Sequence, residues 1–84
     1  MEEIQVTLEP QDNNRLSNLC GPLNDNIKIL ENLLDVKINQ RGNLFHFIGK
    51  KESVEKASEM IKKLYIDSKN SVITKDEISK TLRI

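Results

Sequence analysis

Ile4, Val6 and Leu8 alternate with Gln5 and Thr7, the period of a half-buried strand, and Pro10 stops it. Leu16, Leu19 and Cys20 then recur at helical spacing, and Asp12, Asn13 and Asn14 each offer a cap for that short helix. Gly21-Pro22 ends it, because glycine accepts the left-handed cap and proline cannot extend the turn. Ile27, Leu30, Leu33 and Leu34 mark a second helix, with Asn24, Asp25 and Asn26 as candidate caps and Asp35 at its end. Val36 and Ile38 alternate with Lys37 and Asn39, giving a second strand. Arg41-Gly42-Asn43 predicts a turn, since Gly42 takes positive φ without strain, and a third strand follows from Leu44 to Ile48, closed by Gly49.

The third strand differs from the other two. Phe45 and Phe47 point to one side and Leu44, His46 and Ile48 to the other, so both faces are largely apolar and the strand belongs in the middle of a sheet. A longer helix is predicted over 52–66, with Val54, Ala57, Ile61, Leu64 and Tyr65 facing inward and Glu55, Lys56, Glu59, Lys62 and Lys63 facing water. Residues 67–71 read as a polar linker. Thr74 followed three residues later by Glu77 is a capping box, and Ile78 and Leu82 begin a new apolar stripe that stops almost at once.

The fold class is therefore α+β: β-α-α-β-β-α with a three-stranded antiparallel sheet, helices packed on one face, and a C-terminal helix start. Residues 1–67 form the expected domain, and 68–84 are expected to be a linker and the start of a helix leading to a further domain. The chain is 84 residues long, enough for one small core. Thirteen basic and thirteen acidic side chains cancel, which argues against strong independent affinity for nucleic acid. Cys20 is the only cysteine, which excludes an internal disulfide and a multi-cysteine metal site; a reduced, half-buried thiol packed as a small apolar group suits a cytosolic protein. MEEIQVTLEP carries neither the basic nor the apolar region of a secretory signal, and no apolar run approaches the ~20 residues of a membrane span.

The element order resembles a KH domain. The run Leu8-Glu9-Pro10, Asp12-Asn13, Arg15-Leu16, Leu19-Cys20-Gly21-Pro22 and Asp25-Asn26-Ile27-Lys28 resembles, more narrowly, the N-terminal domain of the PhoH-like proteins. So do Val36-Lys37-Ile38-Asn39, Ile48-Gly49 and Leu64-Tyr65. The resemblance covers residues 4–67 and continues more loosely through the tail. It implies a cytoplasmic bacterial protein associated with RNA metabolism, with a P-loop ATPase domain after this one, and ATP and magnesium are expected only there. The chain has no Gly-x-x-x-x-Gly-Lys-Ser/Thr sequence, so no cofactor site is expected in it.

A KH module approaches phosphates through the bare backbone of a Gly-x-x-Gly loop. The corresponding stretch is Gly21-Pro22-Leu23-Asn24-Asp25-Asn26, which lacks the second glycine. Pro22 removes a backbone donor, and the full charge of Asp25 outweighs the roughly half positive charge of a helix start. The candidate weak RNA groove is Gly21, Asn24, Asn26, Lys28, Lys37 and Arg41. Three cations there give a log–log salt slope of about −2, modest binding lost near physiological salt. Phe45, Phe47 and Tyr65 are better placed in the core than as base-stacking platforms. His46 has no second histidine to complete a metal site. With Leu44 and Ile48 it forms instead a candidate docking face. Lys50-Lys51 beside Glu52 and Glu55 reads as a solvated helix start. No nucleophile, base and orienting partner can be assembled, so no catalytic residue and no metal ligand is expected.

The expectation is an accessory domain of a PhoH-like ATP-binding protein that contacts its own ATPase domain or neighbouring subunits, with weak binding of single-stranded RNA. The alternative is a free-standing KH-type RNA-binding module.

Overall fold

The computed structural model describes residues 1–83; residue 84, the last of the expected tail, lies outside the described residues. The elements are β1 (Glu2–Thr7), α1 (Asn13–Cys20), α2 (Asp25–Leu34), β2 (Val36–Arg41), β3 (Leu44–Gly49), α3 (Lys51–Asp67) and α4 (Lys75–Arg83), with a short 3-10 turn at Pro22–Asn24. The fold is α+β, with one three-stranded antiparallel sheet and four α-helices among the described residues.

The sheet order is β1-β3-β2, so the strand that is apolar on both faces takes the centre. β1 pairs with β3 from Glu2↔Gly49 to Thr7↔Leu44, and β2 pairs with β3 from Val36↔Gly49 to Arg41↔Leu44. The second pairing leaves Gly42 and Asn43 as a two-residue connection, with Gly42 at φ 59°. Val6, Val36, Ile38, Phe45 and Phe47 all turn to the side where α2 lies against β2 and α3 against β1 and β3. The rings of Phe45 and Phe47 stack 6.5 Å apart between centroids and are 0% exposed.

Local chemistry sets the helix ends. Asp12 caps α1, its Oδ1 accepting from the N–H groups of Asn14 at 2.9 Å and Arg15 at 3.2 Å. Asp35 closes α2 in the left-handed region at φ 55°. The capping box opens α4 as expected: Thr74 Oγ1 accepts from the Glu77 N–H at 3.2 Å, and Glu77 Oε1 accepts from the Thr74 N–H at 3.4 Å.

Three local expectations are corrected. Leu33 is 49% exposed, because Ile27, Leu30 and Leu34 already fill the narrow stripe that α2 turns to the core. No side chain of Asn24, Asp25 or Asn26 caps α2; the helix grows directly out of the 3-10 turn, and the Asn26 amide is used elsewhere. The polar stretch after α3 is exposed at Asp67 and from Lys69 to Ser71, but it is anchored at one point. Ser68 is fully buried, its hydroxyl donating to the Tyr65 carbonyl at 2.7 Å and its own carbonyl accepting from Asn18 Nδ2 at 2.9 Å. Ile73 and Ile78 join the core, and α4 packs on α2 and α3.

Arg15 lies over the Tyr65 ring, its Cζ 4.6 Å from the centroid, and Nη2 donates to the Tyr65 carbonyl at 3.2 Å. The Tyr65 hydroxyl donates to the Pro10 carbonyl. The chain between β1 and α1 is thus fastened to the end of α3.

Phe47→Ala is expected to cost about 3–5 kcal/mol. A domain of this size holds about 5 kcal/mol in all. Thermal unfolding followed by circular dichroism should show most of the folded signal lost, and a melt unchanged within a few degrees would contradict the central, buried place of this ring.

Candidate functional site

The loop between α1 and α2 is built for closure. Gly21 ends α1 with φ 74°, its N–H donating to the Ser17 carbonyl at 3.0 Å. Leu23 and Asn24 follow at φ 55° and 60°, two consecutive left-handed residues. Asn26 then turns inward. Its Nδ2 donates to the Leu19 carbonyl at 3.0 Å and to the Ile73 carbonyl at 2.8 Å, in a buried setting. A Cβ on Gly21 would sit 3.0 Å from that same Nδ2, so glycine serves close packing here as well as the turn. The Ile73 N–H donates back to the Asn18 carbonyl at 2.9 Å.

The six residues expected to form a groove are divided between two regions. Gly21 and Asn24 stand at the loop, with Asn24 exposed, and Lys28 is exposed on α2. Asn26 is buried and both of its amide donors are engaged, so it is corrected from a phosphate-facing residue to a structural one. Lys37 and Arg41 belong to the opposite side of the sheet, across the ladder from Ile48 and Leu44. Asp25, exposed in the first turn of α2, meets that helix's positive end, where its charge is favourable without any ligand.

The open face of the sheet gathers more side chains than the loop does. Three cross-strand rows run over it: Glu3–Ile48–Lys37, Gln5–His46–Asn39 and Thr7–Leu44–Arg41. Leu44, His46 and Ile48 stand together down the middle, each half-buried. His46 Nε2 lies 2.6 Å from Glu3 Oε1. The face therefore has an apolar centre, an acid on one flank and two cations on the other. Glu3 was missed from sequence; the signal was present, since a strand beside Leu44–Ile48 has to set its odd-numbered residues around His46.

A second hollow lies at the end of the sheet, where Lys37, Lys50 and Lys51 surround Val36, Ile48 and Gly49. Gly49 fits closely there: an added Cβ would stand 3.3 Å from the Asp35 carbonyl oxygen and from Val36 Cγ1. Lys50 and Lys51 are both exposed at the start of α3, and Asp35 and Glu2 share the hollow with the three lysines.

Cys20 is buried rather than half-buried, and its thiol donates to Gln40 Oε1 at 3.4 Å. Burial pushes the thiol up to about 11. Among the described residues no three His, Cys, Asp or Glu side chains are grouped to hold a metal ion, and no helix is long and apolar enough to cross a membrane.

No protein-family model matches the chain, and no solved structure matches it.

Two outcomes follow from this geometry. Asn26→Ala leaves the Leu19 and Ile73 carbonyls without their donor, at about 1–3 kcal/mol for each orphaned group. Urea unfolding should show that loss, and Asn26→Asp, which sets an acceptor against two carbonyls, should show more. The Cys20 thiol, raised to about 11 from 9.0, keeps its proton in the folded state at pH 8. Two units lower the thiolate fraction about 100-fold, so alkylation of the folded chain should be slower than that of the urea-unfolded chain by at least this factor. The same shift adds a loss of stability as pH rises from 9.0 toward 11, because only the unfolded thiol ionises in that window, and its contribution is flat well below 9.0. Cys20→Ala should remove that decline.

Proposed function

We propose that this chain is a KH-like accessory domain whose phosphate loop has been turned to structural use and whose open sheet face docks protein. In this reading it is the N-terminal domain of a PhoH-like, ATP-binding cytoplasmic protein, and it contacts its own ATPase domain or a neighbouring subunit. The observation that carries the proposal is the Asn26 amide. It closes the loop against Leu19 and Ile73, so Asn26 is spent on the fold while Asn24 and Asp25 stay exposed beside it. What remains available is the strip of Leu44, His46 and Ile48, half-buried and already held in register by two ladders. The β1-β3-β2 order with helices on one side supports the KH-like part of the reading. The PhoH-like part rests on the sequence resemblance, and the zero net charge supports a protein partner over a polyanion. RNA binding is secondary: Lys28, Lys37 and Arg41 give a single strand only scattered cations. ATP and magnesium belong to the companion domain.

The test is the double substitution Leu44→Lys with Ile48→Lys. The isolated chain should stay folded by circular dichroism, while the longer protein should lose its normal assembly state in sedimentation velocity. Unaltered assembly would remove the docking reading. A titration of single-stranded RNA at low salt, with this chain and with Asp25→Gly, covers the rival reading. Negligible binding by both is expected, and tight capture through residues 21–26 would establish an RNA-binding module in place of the docking domain.

A further inference from the structure

Both outer strands of the sheet are edges, and they are not alike. In an antiparallel ladder the N–H and C=O of one residue point to the same neighbour, and successive residues alternate. Two hydrogen bonds fix this alternation. The Leu8 N–H donates to the Asn43 carbonyl at 2.9 Å, continuing the β1–β3 ladder, so the even-numbered residues of β1 face β3. Glu3, Gln5 and Thr7 therefore turn both backbone groups outward. On the far edge the Ile38 N–H donates to Glu31 Oε2 at 2.9 Å, so Val36, Ile38 and Gln40 face outward from β2.

The β2 edge is defended. Glu31 of α2 occupies the Ile38 donor, and Lys37 and Arg41 set charges along the strand. On the β1 edge no described side chain occupies an outward donor, and its two acids, Glu2 and Glu3, are confined to one end. Its pairing with β3 is unbroken from Glu2 to Thr7, it contains neither lysine nor proline, and no described hydrogen bond reaches the outward groups of Glu3, Gln5 or Thr7. An open run of this kind is a template for another strand.

We propose that the occupant is β1 of a second copy of this chain, paired antiparallel about a two-fold axis at Gln5, so that two three-stranded sheets become one of six strands. The register is self-complementary. It sets Gln5 opposite Gln5 and Glu3 opposite Thr7 in the hydrogen-bonded pairs, so no acid meets an acid. Beneath the sheet it sets Ile4, only partly buried at the open edge, against the second copy's Val6. An axis at Glu3 would bring two carboxylates face to face, and an axis at Thr7 would run the pairing into Pro10. Of the three axes through an outward-facing residue, the one at Gln5 uses the whole strand without like charges opposed. It also makes the two open faces continuous. The proposal does not depend on what those faces bind.

Sedimentation velocity over a concentration series tests it on the chain as it stands. The wild-type chain should dimerise with rising concentration, and the amides of Glu3, Gln5 and Thr7 should gain protection from hydrogen exchange as it does. Gln5 is exposed, so Gln5→Lys and Gln5→Glu should each keep the fold, as checked by circular dichroism, and each should weaken the dimer at least tenfold by setting like charges opposite at the axis. An equimolar mixture of the two variants should restore it as a heterodimer. A wild-type chain that stays monomeric up to millimolar concentration overturns the proposal. So does a dimer that persists in both variants, or a mixture that fails to recover.

Discussion

One buried side-chain amide sets the arrangement of this fold. Asn26 Nδ2 carries two hydrogens and gives one to the end of α1, at Leu19, and the other to the chain leading into α4, at Ile73. A buried donor without an acceptor is costly, as is a buried carbonyl without a donor, so the α1–α2 turn and the distant chain before α4 are held in a single geometry. The loop from Gly21 to Asn24 has to take the path this contact permits. Its left-handed residues and the absence of room for a Cβ at Gly21 follow from that closure. Asn18 strengthens it, accepting from Ile73 through its backbone and donating to Ser68 through its side chain.

The sheet divides the molecule by chemistry. One side carries Phe45 and Phe47 into the core between α2 and α3. The other carries no helix among the described residues and sorts its side chains into an acidic flank, an aliphatic and histidine centre and a basic flank. Its two edges are equally asymmetric, one shielded by Glu31 and the other bare. A polyanion would find cations on this molecule but no cradle. The proposed docking uses the strip of Leu44, His46 and Ile48, and the proposed pairing uses the β1 edge.

Much of this was legible beforehand. The two-sided apolarity of Leu44–Ile48 placed β3 at the centre, because only a strand with neighbours on both edges and cover beneath tolerates so little polarity. The capping motifs at Asp12 and Thr74 were legible because they act within four residues. Leu33 was not, since a helix of three turns buries a narrower stripe than its apolar residues suggest once neighbours are in place. The Glu3–His46 pair was half legible: alternation put both on one face, but only the β1–β3 pairing brought them together.

By itself the sequence determined which residues alternate, which recur at helical spacing and where turns and caps interrupt them, because those are properties of a few consecutive residues. It also excluded a phosphate-binding P-loop and a disulfide within this chain. Only the tertiary structure decided that Asn26 faces the core instead of a phosphate, that Ser68 and Ile73 are buried, and that β2 is guarded while β1 is bare. Each of these depends on a partner far along the chain. The acceptor that draws Asn26 inward is a carbonyl 47 residues away, and no local pattern encodes which distant group satisfies a buried donor.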